Sequence, residues 1–290
     1  MSSNLLARPY DPELTAGARN AVRVCLAIQP SEKVTLITDR ECLEIAASLA
    51  REIQWTGAPF AAFVLEDEAP RPLASLPESV AADMETSQVS IFAAHVQRDE
   101  LKSRMQMTDI VNRRRMRHGH MVNINRQMML EGMRADFQKV DRLSQKVIEI
   151  VRNAKTIRGT TKGGSDFTAT MNPNYRWIKT SGLISPDKWG NLPGGEVFTT
   201  PGNVDGTLVI DGVVGDFLCE KFGSLQESPL TLRVKHNRLV EAHSNNKELE
   251  RDFWAYAHTD ENSDRVGEFA IGTNIELTQE ICQYVGIPMG

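Results

Sequence analysis

The chain is short of the features that would mark several common protein classes. Its four cysteines, Cys25, Cys42, Cys219 and Cys282, show no CxxC spacing and no disulfide-framework density, and read as reduced thiols of a cytoplasmic protein. No apolar run approaches the length of a membrane span, and Met1-Ser-Ser-Asn4 carries no basic-then-apolar signal pattern. Basic residues do not dominate: 33 Lys and Arg stand against 38 Asp and Glu, a net charge of -5 that argues against a dedicated nucleic-acid binder. No GxGxxG follows the first strand-like run, so the usual dinucleotide fingerprint is missing. Internal repeats and low-complexity segments are absent as well.

What remains is an ordinary soluble composition, 41% hydrophobic and 24% charged over 290 residues, enough for one large domain or two ordinary ones. Apolar residues recur at helical spacing over 14–30, ending at Pro30. Lys33–Thr38 then reads as a buried strand, with Asp39 placed to cap a helix that runs to about Trp55 and stops at Gly57. Phe60–Leu65, Val89–Ala94 and Met121–Ile124 read as further strands, and Ala135–Asn153 as an amphipathic helix. Strands alternating with helices imply parallel pairing with both faces covered. Beyond residue 154 the texture turns to strand and turn residues, with Thr207–Ile210, Leu230–Val234 and Arg238–His243 as strands, a helix over Lys247–Ala257 and another from about Glu276. The expected architecture is an α/β domain over 1–153 and an α+β domain of antiparallel pairs over 154–290.

Residues 99–118 read as a helix with methionines on its core side and a solvated basic end, Arg113-Arg-Arg115 and Arg117. No aromatics are interleaved with these charges, which speaks against RNA binding. His118 and His120 straddle the expected start of a strand, so one is expected to point away and both to be structural.

Two stretches carry the chemistry. In Gly190-Asn-Leu-Pro-Gly-Gly-Glu-Val-Phe-Thr-Thr-Pro201, turn formers sit directly before Glu196 and a β-branched run follows. That is the pattern of a tight loop delivering one carboxylate at the mouth of a strand. In Arg265-Val-Gly-Glu-Phe-Ala-Ile-Gly-Thr-Asn274, Glu268 lies within an apolar run, where burial is costly without a partner such as a divalent metal or a basic side chain.

Asn191–Pro201 together with Gly267–Asn274 resembles the aminopeptidase T family, the M29-type metallo-aminopeptidases. Gly164–Ala169, His120–Ile124 and Met129–Met133 resemble other parts of that family in the same order along the chain. The resemblance implies a cytosolic homodimer without nucleic-acid or membrane partners, acting on peptides. It also implies a C-terminal domain holding two divalent metals (zinc, cobalt or manganese), with Glu196 and Glu268 as ligands and Glu196 as the catalytic candidate. Such a metal pair would polarise the scissile carbonyl and lower the pKa of a bridging water. The sequence departs from the family after Glu268, where no His follows; the C-terminal part is therefore expected to be truncated. His258-Thr-Asp260 precedes Glu268 and reads as a decoy for the family's His-x-Asp, while Tyr284 follows too closely to match its Tyr. Three readings result: a metal-dependent aminopeptidase; an inactive relic of that fold that binds a partner; and an Fe(II) ring-cleaving dioxygenase of the dihydroxypyridine type. The last is set aside because Glu196 is retained and the His and Asp ligands are missing.

Overall fold

The computed structural model describes residues 2–97, 99–278 and 280. Tyr284, Cys282 and nearly all of the helix expected from Glu276 lie outside them. In chain order the strands are β1 (Val34–Thr38), β2 (Phe60–Val64), β3 (Val89–Ala94), β4 (Arg117–Val122), β5 (Thr156–Thr160), β6 (Asp166–Met171) and β7 (Ile178–Thr180). They continue as β8 (Gly190–Asn191), β9 (Glu196–Thr199), β10 (Pro201–Ile210), β11 (Leu230–Lys235), β12 (Arg238–His243) and β13 (Phe269–Gly272).

The first sheet has the order β2-β1-β3-β4-β8, with all neighbours parallel. β1 and β3 are buried at every residue, as strands covered on both faces must be. Helices Leu43–Thr56 and Phe137–Val151 close one face, where Leu36, Ile91 and Met121 meet Leu49, Ile53, Phe137 and Val140. Helices Glu78–Met84 and Leu101–Arg114 close the other, through Val80, Met84, Met107 and Val111. Helix Leu43–Thr56 ends at Gly57 with φ +80°, the left-handed stop that its glycine supplies. Helix Phe137–Val151 begins where the Asp136 carboxylate accepts the Lys139 N–H at 3.0 Å.

The helix expected over 14–30 is broken. A 3-10 turn (Pro12–Leu14), an α segment (Thr15–Arg19) and a π segment (Asn20–Cys25) succeed one another. The Asn20 amide donates to Met133 O and Ala135 O, and Leu26 N reaches back five residues to Ala21 O at 2.9 Å. The wider turn keeps Ala18, Ala21, Val22, Cys25 and Leu26 all buried.

The second half forms an antiparallel sheet of order β12-β11-β10-β6-β5 and a three-stranded sheet of order β13-β9-β7. β8 pairs with β4 through Gly119–Gly190 and His120–Asn191, so a segment of the second half completes the first sheet. Val209, Ile210 and Ile271 are half-buried.

Several expectations are corrected. β4 starts at Arg117, so His118 and His120 both lie inside it; two residues apart, they share one face and both are buried. Cys219 is disulfide-bonded and only Cys25 and Cys42 are free among the described residues, because chain spacing does not report pairing between distant positions. The basic end of helix Leu101–Arg114 is solvated as expected at Arg113 and Arg115, which pair at the surface with Glu85 and Asp187, whereas Arg117 is half-buried against Glu32.

Candidate functional site

Gly194 and Gly195 bring the chain to Glu196 by threading between two strands. Gly195 N donates to Thr180 O at 2.7 Å, and Gly195 O accepts from Thr273 N at 2.7 Å. A Cβ on Gly194 would lie 2.5 Å from Gly182 N, and one on Gly195 2.4 Å from the Asn274 Cβ. The glycines read from the sequence as permitting close approach do so here. Glu196 then opens β9, the central strand of its sheet, opposite Thr180 on β7 and Gly272 on β13. Val197 and Thr199 point into the protein, so Glu196 faces the other way. The Thr180 hydroxyl donates to the Glu196 Oε1 at 3.3 Å.

Glu268 precedes β13 and is exposed. Phe269 is opposite Thr199, so Glu268 stands beyond the far end of the four-residue ladder, roughly 13 Å from Glu196 along the strands. The structure thus places Glu196 at the start of β9 and Glu268 just before its partner strand β13, without joining them at a point. Surrounding protein, and then the charge of Glu196, push the Glu268 carboxyl up. Lys188 stands in the same field. Desolvation lowers its ammonium, while Glu196 acts to hold its charge, and Nζ donates to Lys179 O at 2.7 Å. His258 and Asp260 take no part. The His258 ring stacks on Trp254, and Asp260 accepts the N–H groups of Asn262 and Ser263 in a turn.

Among the described residues, one group of three potential metal-ligating side chains converges, and it lies elsewhere: Asp39, Cys42 and His95. Asp39 follows β1 and His95 follows β3, at the carboxyl ends of neighbouring parallel strands. Burial alone would raise the Asp39 carboxyl, but the His95 ring and the N–H groups of Cys42 and His95 outweigh it and lower it. Hydrogen bonding to Asp39 raises His95, and burial raises the Cys42 thiol. From the sequence, Asp39 reads only as a helix cap. It does accept the Cys42 N–H at 2.8 Å, but the meeting with His95, 53 residues on from Cys42, depends on the sheet order.

The family model for 2,5-dihydroxypyridine 5,6-dioxygenase (NicX) matches residues 101–267, which takes in Glu196 and stops one residue before Glu268. Among solved structures, 2,5-dihydroxypyridine dioxygenase of Pseudomonas putida KT2440 superposes with a TM-score of 0.66 at 15% identity, covering 89% of this chain and 76% of that one. AmpT of Thermus thermophilus, an M29 aminopeptidase, superposes with a TM-score of 0.63 at 15% identity, covering 90% of this chain and 78% of its own. No curated protein sequence matches the chain. The architecture expected from the aminopeptidase resemblance is therefore present, and it is an architecture that the dioxygenase shares. The family model matches more than half of the residues, and it is that of the ring-cleaving enzymes set aside on the sequence: the chain belongs to the 2,5-dihydroxypyridine 5,6-dioxygenase family.

Proposed function

We propose that the chain is a metal-dependent enzyme in which Glu196 and Glu268 are the carboxylate ligands, and that it hydrolyses the N-terminal residue from peptides. The observation that carries this reading is the pair itself: Glu196 opens β9 and Glu268 stands just before its partner strand β13, where surrounding protein and then the charge of Glu196 push the Glu268 carboxyl up. A cation between them removes that repulsion, and oxygen donors fit a hard or borderline divalent ion such as manganese, zinc or cobalt. No third Asp, Glu, His or Cys ligand atom joins the two among the described residues. When bound, the metal would polarise a carbonyl and acidify water.

The chain's own residues supply the rest. Glu196 is fixed at its backbone by β7 and β13 and at its carboxylate by the Thr180 hydroxyl, which leaves the second oxygen to orient or deprotonate water. Lys188, held in the field of Glu196, can receive a carboxylate or carbonyl oxygen of the substrate.

A second reading has its own support, because the matching family model is that of a ring-cleaving dioxygenase. One pair of assays separates the two. The purified protein is given leucine anilide with cobalt, zinc or manganese, and separately 2,5-dihydroxypyridine with ferrous iron under air while oxygen is followed. Metal-dependent release of the aniline, cut about 100-fold or more in Glu196→Gln, is the expected result. Oxygen uptake that depends on the pyridine, with no anilide cleavage, would replace hydrolysis by ring opening.

A further inference from the structure

The first sheet reverses its winding between β1 and β3: β2 lies on one side of β1, while β3, β4 and β8 follow on the other. Open parallel sheets bind ligands in the crevice outside the carboxyl ends of the strands at such a reversal. Asp39 and Cys42, after β1, and His95, after β3, stand in that crevice.

Their donor atoms share one focus. Cys42 Sγ lies 3.4 Å from His95 Nδ1, and the same nitrogen lies 3.5 Å from Asp39 Oδ2 and 3.5 Å from Glu41 Oε2. Tetrahedral zinc with bonds of about 2.0–2.3 Å requires ligand atoms roughly 3.3–3.7 Å apart, so these contacts need little adjustment. A Cys-His-Asp catalytic relay would instead use opposite ring nitrogens for the thiol and the carboxylate. Here both meet Nδ1.

The site is built rather than incidental. Asp39 is 1% exposed, and its carboxylate is aimed by two backbone donors, Cys42 N at 2.8 Å and His95 N at 2.6 Å. Cys42 is also 1% exposed, with Sγ 3.5 Å from Ile124 O. The nearby cation, Arg71, donates Nη1 to Asp39 Oδ2 at 3.3 Å and to Glu66 at 3.1 Å, and is held by both oxygens of Glu100, at 2.8 and 2.6 Å. Asp39, Glu41, Glu66 and Glu100 therefore outnumber Arg71, and the crevice carries surplus negative charge. An anionic ligand would be repelled. A divalent cation would be attracted, and a thiol with an imidazole selects a borderline ion over calcium or magnesium.

We propose that Asp39, Cys42 and His95 form a three-ligand zinc-class metal site at the switch point of the first sheet, its fourth position open to water, separate from Glu196 and Glu268. Metal binding here joins the loop after β1 to the end of β3, and the Cys42 thiol binds as thiolate, its proton passing to solvent.

Cobalt(II) titration of the full chain, desalted without reductant so that the Cys219 disulfide is kept, tests the site, read by the near-ultraviolet sulfur-to-cobalt charge-transfer absorption. Glu196 and Glu268 offer no sulfur, so that absorption reports the proposed site whatever becomes of the proposed hydrolysis. The expected result is saturation near one equivalent, displacement by zinc, loss of the absorption in Cys42→Ser, and an affinity weaker by about 10-fold or more in His95→Gln. Cys25→Ala, which changes the other free thiol among the described residues, should keep it. His95 has a side chain that is 34% exposed, so His95→Gln is the variant least liable to misfold. Absence of the absorption in the parent chain, or its persistence in Cys42→Ser, overturns the proposal.

Discussion

Gly195 is held at φ +141°, a region that side chains on L-residues rarely enter, and its α-carbon faces Asn274 with no room for a methyl. The strain and the clash fall on the same residue, and both neighbours are backbone-tethered strands that cannot move apart without losing the Thr180 and Thr273 hydrogen bonds. Gly195→Ala should cost about 2–4 kcal/mol, measured by urea unfolding, and should disturb whatever Glu196 does. An unchanged midpoint would mean that the loop is looser than its geometry implies. Arg71 makes a comparable case with charges. Its side chain is 4% exposed and that of Glu100 3%, and the two form a bidentate pair. Arg71→Met leaves a buried carboxylate without its cation and should destabilise by about 3–5 kcal/mol. Arg71→Met combined with Glu100→Gln should recover part of that loss, because the Glu100 charge is then gone while Asp39 still lacks its cation.

β4 holds two imidazoles where water does not reach. His118 Nδ1 lies 2.8 Å from the Ser90 hydroxyl, and His118 Nε2 lies 3.1 Å from His120 Nδ1. His120 stacks on Phe92, and Trp189 approaches both rings. Burial drives His118 well below the usual imidazole range and takes His120 down to about 3. The unfolded chain binds protons on both near pH 6.5 and the native chain does not, so stability is full above about 6.5 and falls as the pH drops toward 3. Each histidine contributes a slope of up to about 1.4 kcal/mol per pH unit in that window. Urea midpoints measured from pH 7 to 4 should therefore fall steeply, and His120→Gln should flatten the curve; parallel curves for the two proteins would refute the assignment. This pair also shows where sequence reading stops. β3 is legible to its end residues because Val89–Ala94 is a continuous buried run, and helix Leu43–Thr56 because a glycine closes it. The start of β4 is not legible: Arg117 and His118 look solvated until Glu32 is known to pair with the first and Trp189 and Ser90 to meet the second. The Gly-Gly-Glu loop announces a strand mouth in its own letters, whereas Asp39, Cys42 and His95 are made neighbours only by the order β2-β1-β3.

The two halves of the chain are fastened by contacts that no local pattern displays. β8 extends the first sheet from within the second half, and Gly119 leaves a Cβ-sized gap that the Leu192 methyl approaches to 3.1 Å. The Ser144 hydroxyl meets that of Thr273 at 2.7 Å, and Asp141 pairs with Lys179 at 2.7 Å. Phe137 is the largest of these fastenings. It is 1% exposed in the core of the first sheet, and a Cβ on Gly182 would come within 2.4 Å of its ring, so the second half packs directly on it. With so much of the interface buried, the halves should unfold together: far-ultraviolet and near-ultraviolet circular dichroism should trace one urea transition. Phe137→Ala removes the ring from both sides at once. It should lower stability by about 3–5 kcal/mol, and the two signals should then separate as the second half loosens ahead of the first sheet. Coincident transitions at a lower midpoint would show instead that β8 and the polar contacts suffice to keep the halves one cooperative unit.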